Sequence, residues 1–188
     1  MLRQEAIEAI ADGRQNTISV ATMQASSPWH DVGQGEIDHL DASRCMGSAS
    51  SLALGLALAK PDRKVIVLDG DGSLLMQLGS LVTIAQARPS NFYHFIFANG
   101  VHESTGNQPI PGRGITNVCQ MALGAGYNRA LNIETKEKLT RMLPELLGLE
   151  GPVLINLAID VEPGRKTRFP GTPMSDQIQS LRRSLAGV

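Results

Sequence analysis

The stretch Lys64-Val65-Ile66-Val67-Leu68-Asp69-Gly70-Asp71-Gly72-Ser73 decides how the rest of the chain is organised. A short apolar run bounded by a glycine-rich turn is the pattern of a central parallel strand buried on both faces. A turn directly after such a strand lies at its carboxyl end, where open α/β sheets place their ligands. Working outward, Asn91 to Ala98 (NFYHFIFA) is a second strand of the same kind. Thr17 to Val20, residues 129 to 133 and Pro152 to Ala158 supply further strands. Between them run helical patterns: Leu2, Ala6, Ile7 and Ile10 with Gly13 as the stop, Gly47 to Ala59, Ser73 to Ala87, 116 to 124, and 135 to 147. This alternation predicts an α/β fold, a three-layer α/β/α sandwich around a mainly parallel sheet of about five strands.

Some segments carry finer expectations. Gly47 to Ala59 is small and apolar on nearly every side and is expected to be deeply buried. Ser73 to Ala87 contains no charged residue, so this helix is expected to touch protein all round, either at an interface or inside the monomer. Residues 24 to 43 read as a loop with one short helix, and Asn99 to Asn117 as a long polar loop. Residues 1 to 160 form the expected domain. Residues 161 to 188 are a tail that wraps a surface or interface and closes in a short helix.

Composition excludes several classes. The 188 residues are 42% apolar, enough for one domain with a real core. Only 19% are charged and the formal net charge is -1, which gives no electrostatic reason to bind nucleic acid. Cys45 and Cys119 form no CxxC pair and imply neither a disulfide framework nor a zinc knuckle, which fits a reducing, cytoplasmic setting. The first 15 residues form a mixed-charge amphipathic helix without the apolar core of a signal peptide, and no run is long enough to span a membrane.

The chemistry concentrates in Gly70-Asp71-Gly72 and, after 26 intervening residues, Asn99-Gly100. Alone, the first tripeptide reads better as an ordinary glycine-rich turn after a strand. With Asn99 in register, the pair acquires a chemical logic. Glycines admit an anion close to the backbone, and the following helix presents unpaired N–H groups to phosphate. The Asp71 carboxylate and the Asn99 amide oxygen are hard ligands suited to an octahedral ion such as Mg2+ that also bridges phosphate oxygens. One β-α-β crossover spans this spacing and brings the two strand ends together. No GxxxxGK[ST] motif and no GxGxxG between strand and helix is present, which disfavours nucleotide chemistry.

On these residues the chain resembles the diphosphate-binding domain of thiamine-diphosphate enzymes, whose signature is GDG followed by a spacer of comparable length and an asparagine. The resemblance implies that Asp71, Asn99 and the carbonyl of Val101 bind Mg2+, and that Gly70, Gly72 and Ser73 contact the diphosphate. It extends to Arg44-Cys45-Met46-Gly47-Ser48, where the family sets an apolar wedge beneath the bent cofactor; Met46 would be that wedge. Arg44 departs from the small residue usual at its position, where a carbonyl accepts from the aminopyrimidine.

Within the family, residues 47 to 59, GDGSLLMQLGSL (70 to 81) and His102-Glu103-Ser104-Thr105-Gly106-Asn107-Gln108-Pro109 resemble sulfopyruvate and phosphonopyruvate decarboxylases. The two-chain sulfopyruvate type, as a β subunit, gives the better likeness, because 188 residues leave no room for the pyrimidine-binding domain with its activating glutamate. The resemblance therefore implies a separate α subunit, further β copies and a site between chains. The implied substrate is a small 2-oxo acid with an anionic head. His102 is the candidate to orient substrate or move a proton while Glu103 holds its tautomer, the alternative for His102 being a loop-ordering hydrogen bond. Arg44 or Arg113 is the candidate to meet the head group, and His30, His39 and His94 read as ordinary core or surface residues. An acetolactate-synthase-like subunit and a noncatalytic cofactor-binding module are the remaining alternatives.

Overall fold

The computed structural model describes residues 1–34, 38–162 and 171–186. In chain order the elements are α1 (Arg3–Gly13), β1 (Ile18–Ala21), α2 (Ser26–Asp31), β2 (His39–Asp41), α3 (Ala49–Ala59), β3 (Val65–Gly70), α4 (Asp71–Met76) and α5 (Ser80–Ala87). They continue with β4 (Phe92–Ala98), β5 (Val101–His102), β6 (Gln108–Pro109), α6 (Val118–Ala125), β7 (Arg129–Ile133), α7 (Lys136–Leu146), β8 (Val153–Ala158) and α8 (Met174–Ala186). Six strands form one parallel sheet in the order β2-β1-β3-β4-β8-β7. The sheet thus has one strand more than expected, and the added strand is β2, inside the segment read as a loop.

Strand side chains alternate between two cores, as a period of two requires. Ile66, Leu68, Phe95, Phe97 and Ile155 join α1, α2 and α7 on one face, where Trp29 is fully buried. Val65, Val67, Phe92, Ile96 and Leu154 join α3, α5 and α6 on the other. Burial of β3 and β4 on both faces explains their continuous apolar runs. On α1 the pattern has one inversion: Arg3 is buried at 1% exposure, whereas Leu2 is 46% exposed.

Two helices differ from expectation. The charge-free stretch is two helices, α4 and α5, broken across residues 77 to 79. They are not enclosed on all sides, since Met76 is 62% and Val82 61% exposed. Likewise α3 buries Ala49, Ser50, Ala53, Leu54 and Ala57 but leaves Leu58 exposed. The expected 99–117 loop contains the antiparallel pair β5 and β6 joined through a short 3-10 turn, Glu103–Thr105. Of the 161–188 tail, residues 163–170 and 187–188 lie outside the described residues. Its helix α8 lies on the edge strand β2, burying Leu181, with the Asp41 N–H donating to Gln177 Oε1 at 2.8 Å.

Candidate cofactor and metal site

The chain runs from β1 outward to β2, then crosses back over β1 to β3, so the topological switch lies between β1 and β3. At that end of the sheet opens a cleft of about 530 Å³, counting the space open to solvent. Thr22 and Gln24 after β1, Asp69 to Ser73 around the end of β3, and Asn99 and Val101 to Thr105 after β4 contribute to its walls, with Met46 and Arg3.

The two motif halves meet in this cleft. Asp71 opens α4 and is only 4% exposed. Its Oδ1 accepts the Gly72 N–H at 2.8 Å and its Oδ2 the Gly100 N–H at 2.7 Å, which ties the β3 turn to the residue after Asn99. Burial pushes the Asp71 carboxyl above its ordinary range, a shift opposed by the two N–H donors and by His102. Among the described residues no lysine or arginine forms an ion pair with Asp71. A desolvated carboxylate with no lysine or arginine partner is a hard oxygen ligand, so these residues fit a divalent ion. Asn99 Oδ1 accepts the Val101 N–H at 3.0 Å and keeps a second lone pair, while Val101 itself is buried in the cleft wall. Among the described residues no group of three or more His, Cys, Asp or Glu assembles a metal site. A donor set of one carboxylate, one amide and one carbonyl contains only one such residue.

The remaining predicted positions divide. Gly72 lies under the His102 ring, since a Cβ there would meet His102 Cε1 and Nδ1 at 2.7 Å and Ile110 Cγ2 at 3.3 Å. Ser73 is buried, and its Oγ accepts the Gly47 N–H at 3.0 Å. Gly47 has φ of +81°, a conformation that favours glycine. Of residues 44 to 48, Met46 alone lines the cleft; Arg44 and Ser48 are exposed and Cys45 packs beside the α3 core. Arg113 stands over Gly100, its Nε 3.0 Å from where a Cβ would be, in a separate hollow with Asn117, Asn132 and Asn156.

Glu103 does not hold His102. Its carboxylate accepts from Arg3 Nη2, from Asn99 Nδ2 at 3.3 Å and from the Glu162 N–H at 3.1 Å, because those donors surround it and the imidazole faces Gly72 instead. His94 is a core residue as expected, paired through Nε2 with Asp69 Oδ2 at 3.2 Å, both fully buried. Sequence reasoning missed Arg3, Thr22, Gln24 and Asp69. Arg3 lies 100 positions from Glu103, and no local pattern announces that contact.

Comparison with known proteins gives this geometry a context. Residues 22–157 match the family model described as "Thiamine pyrophosphate enzyme, C-terminal TPP binding domain". A phosphonopyruvate decarboxylase from Streptomyces viridochromogenes is 41% identical over 143 residues, covering 76% of this chain and 35% of that protein. A sulfopyruvate decarboxylase subunit beta from Methanocaldococcus jannaschii is 44% identical over 105 residues, 56% of this chain and 55% of that subunit. The chain thus spans between about a third and about half of these relatives. Among solved structures, a thiamine diphosphate-dependent 4-hydroxybenzoylformate decarboxylase from Rhodococcus jostii RHA1 superposes with a TM-score of 0.68 at 22% identity, over 86% of this chain and 33% of that one.

Proposed function

We propose, from the premise that this chain belongs to the C-terminal TPP-binding domain family of thiamine pyrophosphate enzymes, that it is the diphosphate-binding part of a Mg2+-dependent 2-oxo acid decarboxylase. The observation that carries the reading is the Asp71 carboxylate bound to the Gly100 N–H, which joins the two ligand-bearing turns in one cleft. Thiamine diphosphate, when bound, supplies the electron sink for decarboxylation. Asp71, Asn99 and the Val101 carbonyl would hold the ion, Gly70, Gly72 and Ser73 would face the diphosphate, and Met46 would support the ring system. His102, standing on Gly72 at the cleft wall, presents an imidazole that can carry a proton to or from the reacting acid.

On sequence resemblance alone, sulfopyruvate is the first substrate. The phosphonopyruvate relative from Streptomyces viridochromogenes matches 76% of this chain and the sulfopyruvate subunit from Methanocaldococcus jannaschii 56%, which supports phosphonopyruvate as the substrate we propose in place of sulfopyruvate. The pyrimidine side of the cofactor would be covered from outside these 188 residues. Support for such a partner comes from one side of the sheet, where α3, α4, α5 and α6 leave Leu58, Met76, Val82 and Leu123 between 41% and 62% exposed. Among the described residues no helix is long and apolar enough to cross a membrane.

The test mixes this chain with a pyrimidine-domain chain, thiamine diphosphate and Mg2+, then offers phosphonopyruvate and sulfopyruvate. CO2 release from phosphonopyruvate in preference to sulfopyruvate is expected. Cofactor binding without release from either would favour the noncatalytic module, and full activity of this chain alone would remove the separate partner.

A further inference from the structure

We propose that Glu103 is a positioning residue that decides which end of the Asn99 carboxamide faces the ion, and that Arg3 and Glu162 anchor it for that task. The inference rests on the cofactor and ion reading above. A carboxamide has one metal-binding end and one repelling end, its oxygen and its NH2 group, and a half-turn exchanges them. Both neighbours of Asn99 are chemically single-valued. The Val101 N–H can only donate, at 3.0 Å, so it takes Oδ1; the Glu103 carboxylate can only accept, at 3.3 Å, so it takes Nδ2. The backbone contact alone leaves the amide hinged at one point, and Glu103 supplies the second.

Glu103 is in turn immobilised by parts of the chain remote from it. Its side chain is 5% exposed and is bound by the Arg3 guanidinium from α1. Its other oxygen accepts the Glu162 N–H, at 3.1 Å, from the segment after β8. Arg3 Nη1 also donates to Glu162 Oε2 at 2.9 Å, which closes the cluster. A carboxylate accepting three N–H donors has no rotational freedom left to release Asn99. The volume of the Glu103 side chain is matched by methionine, which is similar in length and offers no strong acceptor, and Glu103→Met leaves Arg3 still paired with Glu162.

The probe is Mn2+ bound together with thiamine diphosphate to this chain mixed with a pyrimidine-domain chain, followed by electron paramagnetic resonance, with folding checked by circular dichroism. Glu103→Met should weaken Mn2+ binding about 10- to 100-fold. In the Glu103→Met background, Asn99→Asp should recover most of that loss, because either carboxylate oxygen serves and orientation no longer matters. The same Asn99→Asp change beside Glu103 should give a clearly smaller gain, making the pair non-additive. Where Glu103→Met fails to fold, Arg3→Met/Glu103→Met, which also removes the buried cation, is measured in its place. Affinity within twofold of wild type, or equal effects of Asn99→Asp in both backgrounds, overturns the inference while the cofactor reading stands. A wild-type chain that, mixed with a pyrimidine-domain chain, binds no Mn2+ with the cofactor overturns both.

Discussion

Gly72→Ala tests whether His102 is seated on the motif turn. The added Cβ would stand 2.7 Å from His102 Cε1 and Nδ1. Ordinary carbon contacts begin near ~3.5 Å, so the ring must retreat by about 1 Å. The ring either turns about its χ angles toward Ile110 and the cleft or carries with it β5, whose other residue is Val101 and where His102 pairs with Gln108 across the hairpin. Overpacking of this kind costs about 1–3 kcal/mol, while replacing glycine by alanine in a helical turn returns roughly 0.4–1 kcal/mol. The expected net loss is about 1–2 kcal/mol. In a His102→Ala background only the milder contact with Ile110 Cγ2, at 3.3 Å, is left, and the same Gly72→Ala change should be close to neutral, a coupling of at least about 1 kcal/mol. Urea denaturation of the four proteins measures it, and calorimetry with Mg2+ and thiamine diphosphate reports whether the Val101 carbonyl has moved with its neighbour. If Gly72→Ala costs the same in both backgrounds, within about 0.5 kcal/mol, the ring is not what glycine makes room for and its place in the site must be abandoned.

Three further outcomes follow from the geometry. Asp71→Ala should abolish metal-dependent cofactor binding in the same calorimetric assay, and unchanged affinity would remove Asp71 from the ion site. His39 is held down to about 3 by burial and by the nearby His30 and Arg14, against an ordinary 6.5. The unfolded chain therefore takes up a proton between those values that the folded chain refuses, so stability is full above 6.5 and is lost as pH falls toward 3. By pH 5 this amounts to about 2 kcal/mol, which denaturant titrations at pH 7 and 5 should find in wild type and not in His39→Phe. On the apolar side of the sheet, Val82→Glu should leave the chain's own stability within about 0.5 kcal/mol and weaken assembly with a pyrimidine-domain partner at least tenfold by sedimentation; undiminished assembly would place the partner elsewhere.

How much of this was legible in the sequence depended on the range of the signal. Strands β3, β4 and β8 announce themselves because burial on two faces demands consecutive apolar residues. Asp71 and Asn99 were legible because a single crossover fixes their separation. Strand β2 was not, since three residues reading His-Leu-Asp carry no period, and its burial comes from α8, more than 130 positions away. The break between α4 and α5 leaves apolar periodicity intact on both sides and shows only in the backbone. The position of Arg3 inverts the usual rule for α1, because its guanidinium is satisfied by Glu103 and Glu162. Such pairing is a tertiary fact and leaves no trace at either end of the chain's local pattern.

The hydrogen bond from Gly47 to Ser73 has a practical corollary for altering substrate range. It staples the segment carrying Met46 to the turn after β3, and the Met46 side of the staple is a residue whose backbone angle excludes most side chains. Under the proposed function, exchanging Met46 for leucine or isoleucine would reshape the cofactor's support while Asp71 and Asn99 keep their frame. Changes at Gly47 or Ser73 unsettle both at once, so libraries aimed at new acids should vary position 46 and hold 47 and 73 constant.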